Sequence, residues 1–84
     1  MQINGLTDEI KAYLTDSDKL ETEIKEYIYL NGLIDTTVAN ITNWNMENSD
    51  TMKMQITLND GKTTVLNVSI NLKENEYQIT KEEK

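Results

Sequence analysis

The sequence contains no cysteine, histidine, arginine, proline or phenylalanine, and only three glycines. Without cysteine there is no disulfide and no thiolate chemistry, so the chain is indifferent to the redox state of its compartment. Without histidine there is no ready general base near neutral pH and no imidazole ligand for a metal. Without arginine there is no bidentate fork for phosphate or carboxylate. Long apolar runs are also missing: none approaches the ~20 residues that a membrane span needs. The opening Met1-Gln2-Ile3-Asn4-Gly5 lacks the basic and apolar regions of a secretory signal, so a cytoplasmic location is expected. The Asn-Ile-Thr at Asn40 and Asn-Val-Ser at Asn67 are accordingly read as chance matches to the glycosylation pattern. Positive charge is scarce, with 8 lysines against 15 carboxylates and a net charge of −7. Such a surface repels nucleic-acid phosphates and anionic lipid, so direct contact with nucleic acid or membrane is not expected.

What is present begins with a long periodic stretch. Leu6, Ile10, Tyr13, Ser17, Leu20, Ile24, Tyr27 and Asn31 follow alternating steps of four and three, with Leu14 and Ile28 beside them. At about 100° per residue these positions form one stripe, which predicts a single amphipathic helix of about 25 residues. Thr7 is the expected N-cap, with Asp8 and Glu9 at the positive end of the helix dipole. Glu21 and Lys25 are spaced as an i,i+4 pair in the favourable order. Thr15-Asp16-Ser17-Asp18 is a run of poor helix formers, and Ser17 or Asp18 could cap a second helix there. Because the stripe keeps its phase across this run, a continuous helix is the expectation. Asn31-Gly32 supplies the stop, with Gly32 left-handed and Leu33 folding back onto Ile28 in a Schellman ending.

After Gly32 the period drops to about two, the period of a strand. A first strand is predicted over 34–44, with a bulge near Ala39-Asn40 because Ile41 and Trp44 fall out of phase. Residues 45–50 read as a loop. The second strand carries Met52, Met54, Ile56 and Leu58 on one face, and the third carries Leu66, Val68, Ile70 and Leu72. A three-residue turn at Asn59-Asp60-Gly61 keeps the apolar faces together, pairing Leu58 with Lys62, Met54 with Leu66 and Met52 with Val68. A four-residue loop at 73–76 likewise pairs Leu72 with Tyr77 and Ile70 with Ile79, with a fourth strand over about 76–80 and a frayed tail at 81–84. The expected fold is α+β: one long N-terminal amphipathic helix packed on a four-stranded antiparallel β-meander, in two layers and one domain. The 84 residues suffice for a single core. The sheet's other face, with Lys53, Gln55, Thr57, Asn67, Ser69, Asn71, Gln78 and Thr80, is polar but weakly charged, and suits water or a second copy equally well.

Few constellations carry chemistry. Asp16-x-Asp18 begins like a calcium loop, but Glu21 stands where the loop glycine belongs and Tyr27 where its final glutamate belongs. The carboxylate pairs Glu21 with Glu23 and Glu74 with Glu76 have no placed partner and no apolar pocket, which acid–base catalysis requires. No enzyme activity, metal or cofactor is expected. Tyr29 and Leu30 point away from the stripe. Either the chain returning through Leu33-Ile34 covers them, or they form an exposed anchor flanked by Glu23 and Glu26. Trp44 is either a plug at the core edge or an interface hot spot. The acidity is either an ordinary solvated surface or a mimic of phosphates. In the second reading Asp8, Asp16, Asp18, Glu21, Glu23, Glu26, Glu47, Asp50, Glu74 and Glu76 occupy a basic channel, with salt-sensitive association.

Two segments, Met1-Gln2-Ile3-Asn4-Gly5-Leu6…Glu9-Ile10-Lys11 and Asn75-Glu76-Tyr77-Gln78-Ile79-Thr80, resemble parts of a small acidic phage-encoded anti-CRISPR inhibitor. That family includes proteins that mimic DNA to block an effector nuclease, and the resemblance implies the same class of function. No residue's role is carried over from it. The chain is expected to be a non-enzymatic inhibitor whose partner is a basic or nucleic-acid-binding protein. The residues expected to meet that partner are Asp16, Asp18, Glu21, Glu23, Glu26, Tyr29, Leu30, Trp44, Glu74 and Glu76. The alternative is a self-associating assembly module, a homodimer through the sheet face or the edge strand at 34–44.

Overall fold

The computed structural model describes residues 1–33 and 36–82. It is α+β, with two helices over a five-stranded mixed sheet in the spatial order β1-β2-β3-β4-β5. In chain order these are β1 (Gln2–Asn4), α1 (Asp8–Tyr13), α2 (Ser17–Leu30), β2 (Val38–Met46), β3 (Thr51–Leu58), β4 (Val65–Asn71) and β5 (Glu76–Lys81).

The continuous helix is corrected first. Leu14 leaves α1 with an extended backbone (φ −79°, ψ 134°), and Asp16 restarts the chain as N-cap of α2, its side chain accepting from the Asp18 amide at 3.0 Å. The cause lies in the Thr15–Asp18 run, whose short oxygen-bearing side chains offer the backbone an alternative to helical bonds. Asp16 takes such a bond, and Thr15 donates to the carbonyl of Leu72 across the molecule. At the end of α1 the buried position is Leu14, with Ile10, while Tyr13 is 47% exposed. The two ends form as expected. Thr7 accepts from the Ile10 amide, and Gly32 (φ +71°) lets the Leu33 amide reach the carbonyl of Ile28 at 2.9 Å.

The four-stranded antiparallel sheet is the second correction, since β1 adds a parallel fifth strand, with Gln2↔Val38, Ile3↔Ala39 and Asn4↔Asn40. Parallel strands require a long crossover, and the two helices supply it. Gly5 makes the exit from β1 (φ +88°), and a Cβ there would lie 3.0 Å from the Ile41 carbonyl oxygen. The first predicted strand begins later and runs further, over Val38–Met46, and its expected start at Ile34-Asp35 lies outside the described residues. Its bulge falls between Ile41 and Asn43, at Thr42 rather than at Ala39-Asn40. That extra residue returns Trp44 and Met46 to the face shared by Ala39 and Ile41, opposite Met54 and Met52.

Both later registers are shifted by two residues from the expected ones. Met54 pairs with Val68 and Met52 with Ile70, and Ile70 pairs with Tyr77. A shift of two preserves the buried face, so Met52, Met54, Ile56, Leu58, Leu66, Val68 and Ile70 are all buried against Ile10, Leu14, Leu20, Ile24 and Ile28. The β3–β4 loop is longer than three residues because Asp60 organises it. Its carboxylate accepts from the Lys62 amide at 3.0 Å, the Thr64 amide at 3.2 Å and the Thr64 hydroxyl, and Leu58 then bonds to Thr64 at 2.8 Å. At the other end the Leu72 amide is taken by the Asp50 carbonyl at 2.7 Å, which moves the β4–β5 turn to 72–75. Of the predicted tail at 81–84, Lys81 belongs to β5, and Glu83 and Lys84 lie outside the described residues.

Candidate protein-binding surface

The helix layer carries the acidity. On α2, Leu20, Ile24 and Ile28 turn to the sheet, while Asp18, Thr22, Lys25, Glu26, Tyr29 and Leu30 turn to solvent. Tyr29 is 76% exposed and Leu30 70%, so the chain beyond Gly32 leaves both uncovered among the described residues. They stand at the end of a helix that carries the exposed Glu26 and the partly buried Glu23. Large apolar groups left in water at a helix end need a reason, since the other large apolar side chains described are buried or partly covered, Tyr13 apart.

Asp16 and Glu23 form an acidic ridge on the side of α2 that overlies Tyr77 of β5. The Lys19 ammonium donates to the Asn75 carbonyl at 2.5 Å, which seats the start of α2 on the β4–β5 turn. The turn carries Glu74, while Glu76 alternates with the inward-facing Tyr77 and so lies on the sheet face of Gln78 and Thr80, away from the helices. Asp16 and Glu23 both act on Tyr77 beneath them. Burial first, then these two charges, push the Tyr77 hydroxyl up to about 12. That hydroxyl is buried and has no hydrogen-bond partner among the described residues. Sequence reasoning missed Lys19 and Tyr77; the alternation of β5 marks Tyr77 as inward-facing but says nothing of the charges above it.

Two more candidates stand apart from that ridge. Glu21 faces the other flank, 3.7 Å from the Met1 amine, and the expected Glu21–Lys25 pair is not among the ion pairs of the described residues. Lys25 instead lines a hollow of about 380 Å³ with Met1, Ile28, Tyr29 and Thr36. Trp44 sits on β2, half-buried against the core edge, its ring tilted on Tyr13 of α1 at 6.1 Å. It lies beside α1 rather than beside Tyr29 and Leu30, the plug reading of the two.

The opposite face of the sheet is an open trough of about 430 Å³ lined by Asn43, Asn45, Lys53, Gln55, Asn67, Ser69, Gln78 and Thr80. Its amides bond one another, as from Gln55 to Asn67 at 3.2 Å, and its one ammonium is held by Glu47 at 3.1 Å. Chemically this face can exchange hydrogen bonds with a neutral surface and offers little charge.

Among the described residues no cluster of three or more carboxylates could hold a metal, and no helix is long and apolar enough to cross a membrane. Comparison of the chain with protein-family models, with curated proteins and with solved structures finds no match.

Proposed function

We propose that the chain is a non-enzymatic binding protein of phage or mobile-element type that blocks a nucleic-acid-processing protein, such as a CRISPR effector nuclease. The carrying observation is the exposure of Tyr29 and Leu30 beside the carboxylates of α2. Charge alone would speed and steer association with a basic groove, while desolvated apolar anchors supply the slow dissociation that inhibition requires. The carboxylates of Asp16, Asp18, Glu23 and Glu26 on the helix layer, with Glu74 in the neighbouring turn and Glu76 at the start of β5, are the groups that stand in for phosphates. The net charge of −7 and the resemblance of the two short segments support the same reading. Calorimetric titration of purified CRISPR effectors at low salt tests it. Saturable binding that weakens as salt rises supports the reading, and no binding to any of them removes it.

A second reading is favoured by the neutral trough. Two copies meeting through it would bury amides that both donate and accept, and would keep their acidic helix layers apart. Light scattering at high concentration decides this: a strict monomer eliminates self-association.

A further inference from the structure

The sheet ends in two edges, and they are unequal. β1 presents three residues, whereas β5 presents six, paired to β4 without a bulge from Asn71↔Glu76 to Leu66↔Lys81. Alternate residues of a strand turn both backbone groups to the same side. The Glu82 amide donates to the Val65 carbonyl at 2.8 Å, so Gln78 and Thr80 face β4. The N–H and C=O groups of Tyr77, Ile79 and Lys81 therefore face outward, with no partner among the described residues.

Exposed edges of this length are ordinarily blunted by a proline, a bulge or a central charge. The chain has no proline, β5 has no bulge, and its charges stand only at the ends, in Glu76 and Lys81. The surroundings are acidic. Asp16 and Glu23 act on Tyr77 from the helix layer, Glu74 and Glu76 stand at one end and Glu82 at the other. Of the nearby cations, Lys19 is held on the Asn75 carbonyl, and Lys73 and Lys81 stand in the turn and at the far end of the strand.

We propose that β5 is a docking edge for an extended, lysine- or arginine-bearing segment of a protein partner, which joins the sheet as an added strand. This rests on the reading of the chain as an acidic binding protein and adds how the partner is held. The incoming backbone bonds to Tyr77, Ile79 and Lys81. Its side chains on the helix side cover the half-buried Tyr77 and Ile79 and bring cations to Asp16 and Glu23. A second copy of this chain is the poorer occupant, since it would set −7 against −7.

The probe is a short acetylated and amidated peptide of alternating valine and lysine, added to the full chain at low salt and followed by amide hydrogen exchange. Exchange at Tyr77, Ile79 and Lys81 should slow about tenfold or more, with Gln78 and Thr80 little changed. Lys81→Pro removes one outward donor and none of the bonds to β4, so it should weaken the peptide about tenfold while the fold persists. Peptide binding without protection at those three amides overturns strand addition and leaves charge recognition standing. Equal protection by a valine–glutamate peptide overturns the basic chemistry, and so does a dimer in light scattering with the same amides already protected. Failure of the lysine peptide to bind overturns the proposal. The broader function is read separately, from effector binding.

Discussion

The ammonium of Lys19 lies 2.5 Å from the backbone carbonyl oxygen of Asn75 and so fastens α2 to the β4–β5 turn. This contact seats the turn that carries Glu74 against the helix that carries Asp16 and Glu23. Lys19→Met keeps the aliphatic stem and removes the ammonium. It should destabilise the protein by about 1 kcal/mol, the net worth of an ordinary hydrogen bond, because the contact is only partly buried. Urea unfolding of the two proteins measures it, and equal midpoints would mean that the contact does not hold the turn to the helix.

Tyr29 and Leu30 should matter little for folding. Because both lie in water, Tyr29→Ala and Leu30→Ala are expected to change stability by about 0.5 kcal/mol or less, as surface substitutions do. Ile24→Ala, at a fully buried position on the same helix, should cost about 2–5 kcal/mol. Denaturant unfolding of the three variants gives the comparison, and a large loss at Tyr29 or Leu30 would assign those side chains to the core.

How far this was legible in the sequence follows from what each signal measures. The alternation of apolar residues fixes which face is buried, so Met54 and Leu66 point inward although neither has its expected partner. It does not count loop residues, because a shift of two is invisible to parity. That count was set by Asp60, whose carboxylate gathers three donors and enlarges the turn. Phase likewise misled at Thr15–Asp18: a stripe can stay in register across a break when the second helix restarts at the right angle. The short β1 carries too few residues for a period to show. At the candidate site, the exposure of Tyr29 and Leu30 was one of two readings open from the helical wheel. The seating of α2 on the β4–β5 turn was not legible, because it depends on a side chain to backbone bond between residues 56 positions apart.

Asp60 should leave a mark on the pH dependence of stability. The Thr64 hydroxyl, with the backbone amides of Lys62 and Thr64 adding less, holds its carboxyl below the ordinary 3.8, against an opposing effect of burial second only to the hydroxyl. A group with a lowered folded pKa stabilises above its unfolded value, and that contribution is lost as pH falls through the folded value. Asp60→Asn should therefore cost stability at neutral pH, and the gap to the parent protein should narrow as pH drops below 3.8. Urea unfolding across that range reads the gap, and a constant difference would contradict the loop geometry.

Tyr77 makes the opposite prediction at the alkaline end. Its buried hydroxyl has no partner among the described residues, so Tyr77→Phe removes an unsatisfied group and should be neutral or stabilising by up to about 1 kcal/mol. An absorbance titration of the folded protein should show one phenol ionising near 12, absent in the variant. Stability tied to this group is present below the ordinary value of 10.0 and lost as pH rises toward about 12. A variant that is strongly destabilised would mean that the hydroxyl is bonded after all.

The proposed function has the carboxylates of α2 and the exposed Tyr29 and Leu30 engage a basic nucleic-acid-processing protein. DNA cleavage by a panel of purified CRISPR effector nucleases, titrated with this chain at low and high salt, tests it most directly. At least one nuclease should be inhibited. The half-inhibitory concentration should rise about tenfold or more with salt, and by a similar factor of about ten when Tyr29 and Leu30 are both replaced by alanine. Cleavage that proceeds unhindered across the panel, or inhibition indifferent to both salt and the double substitution, would contradict it.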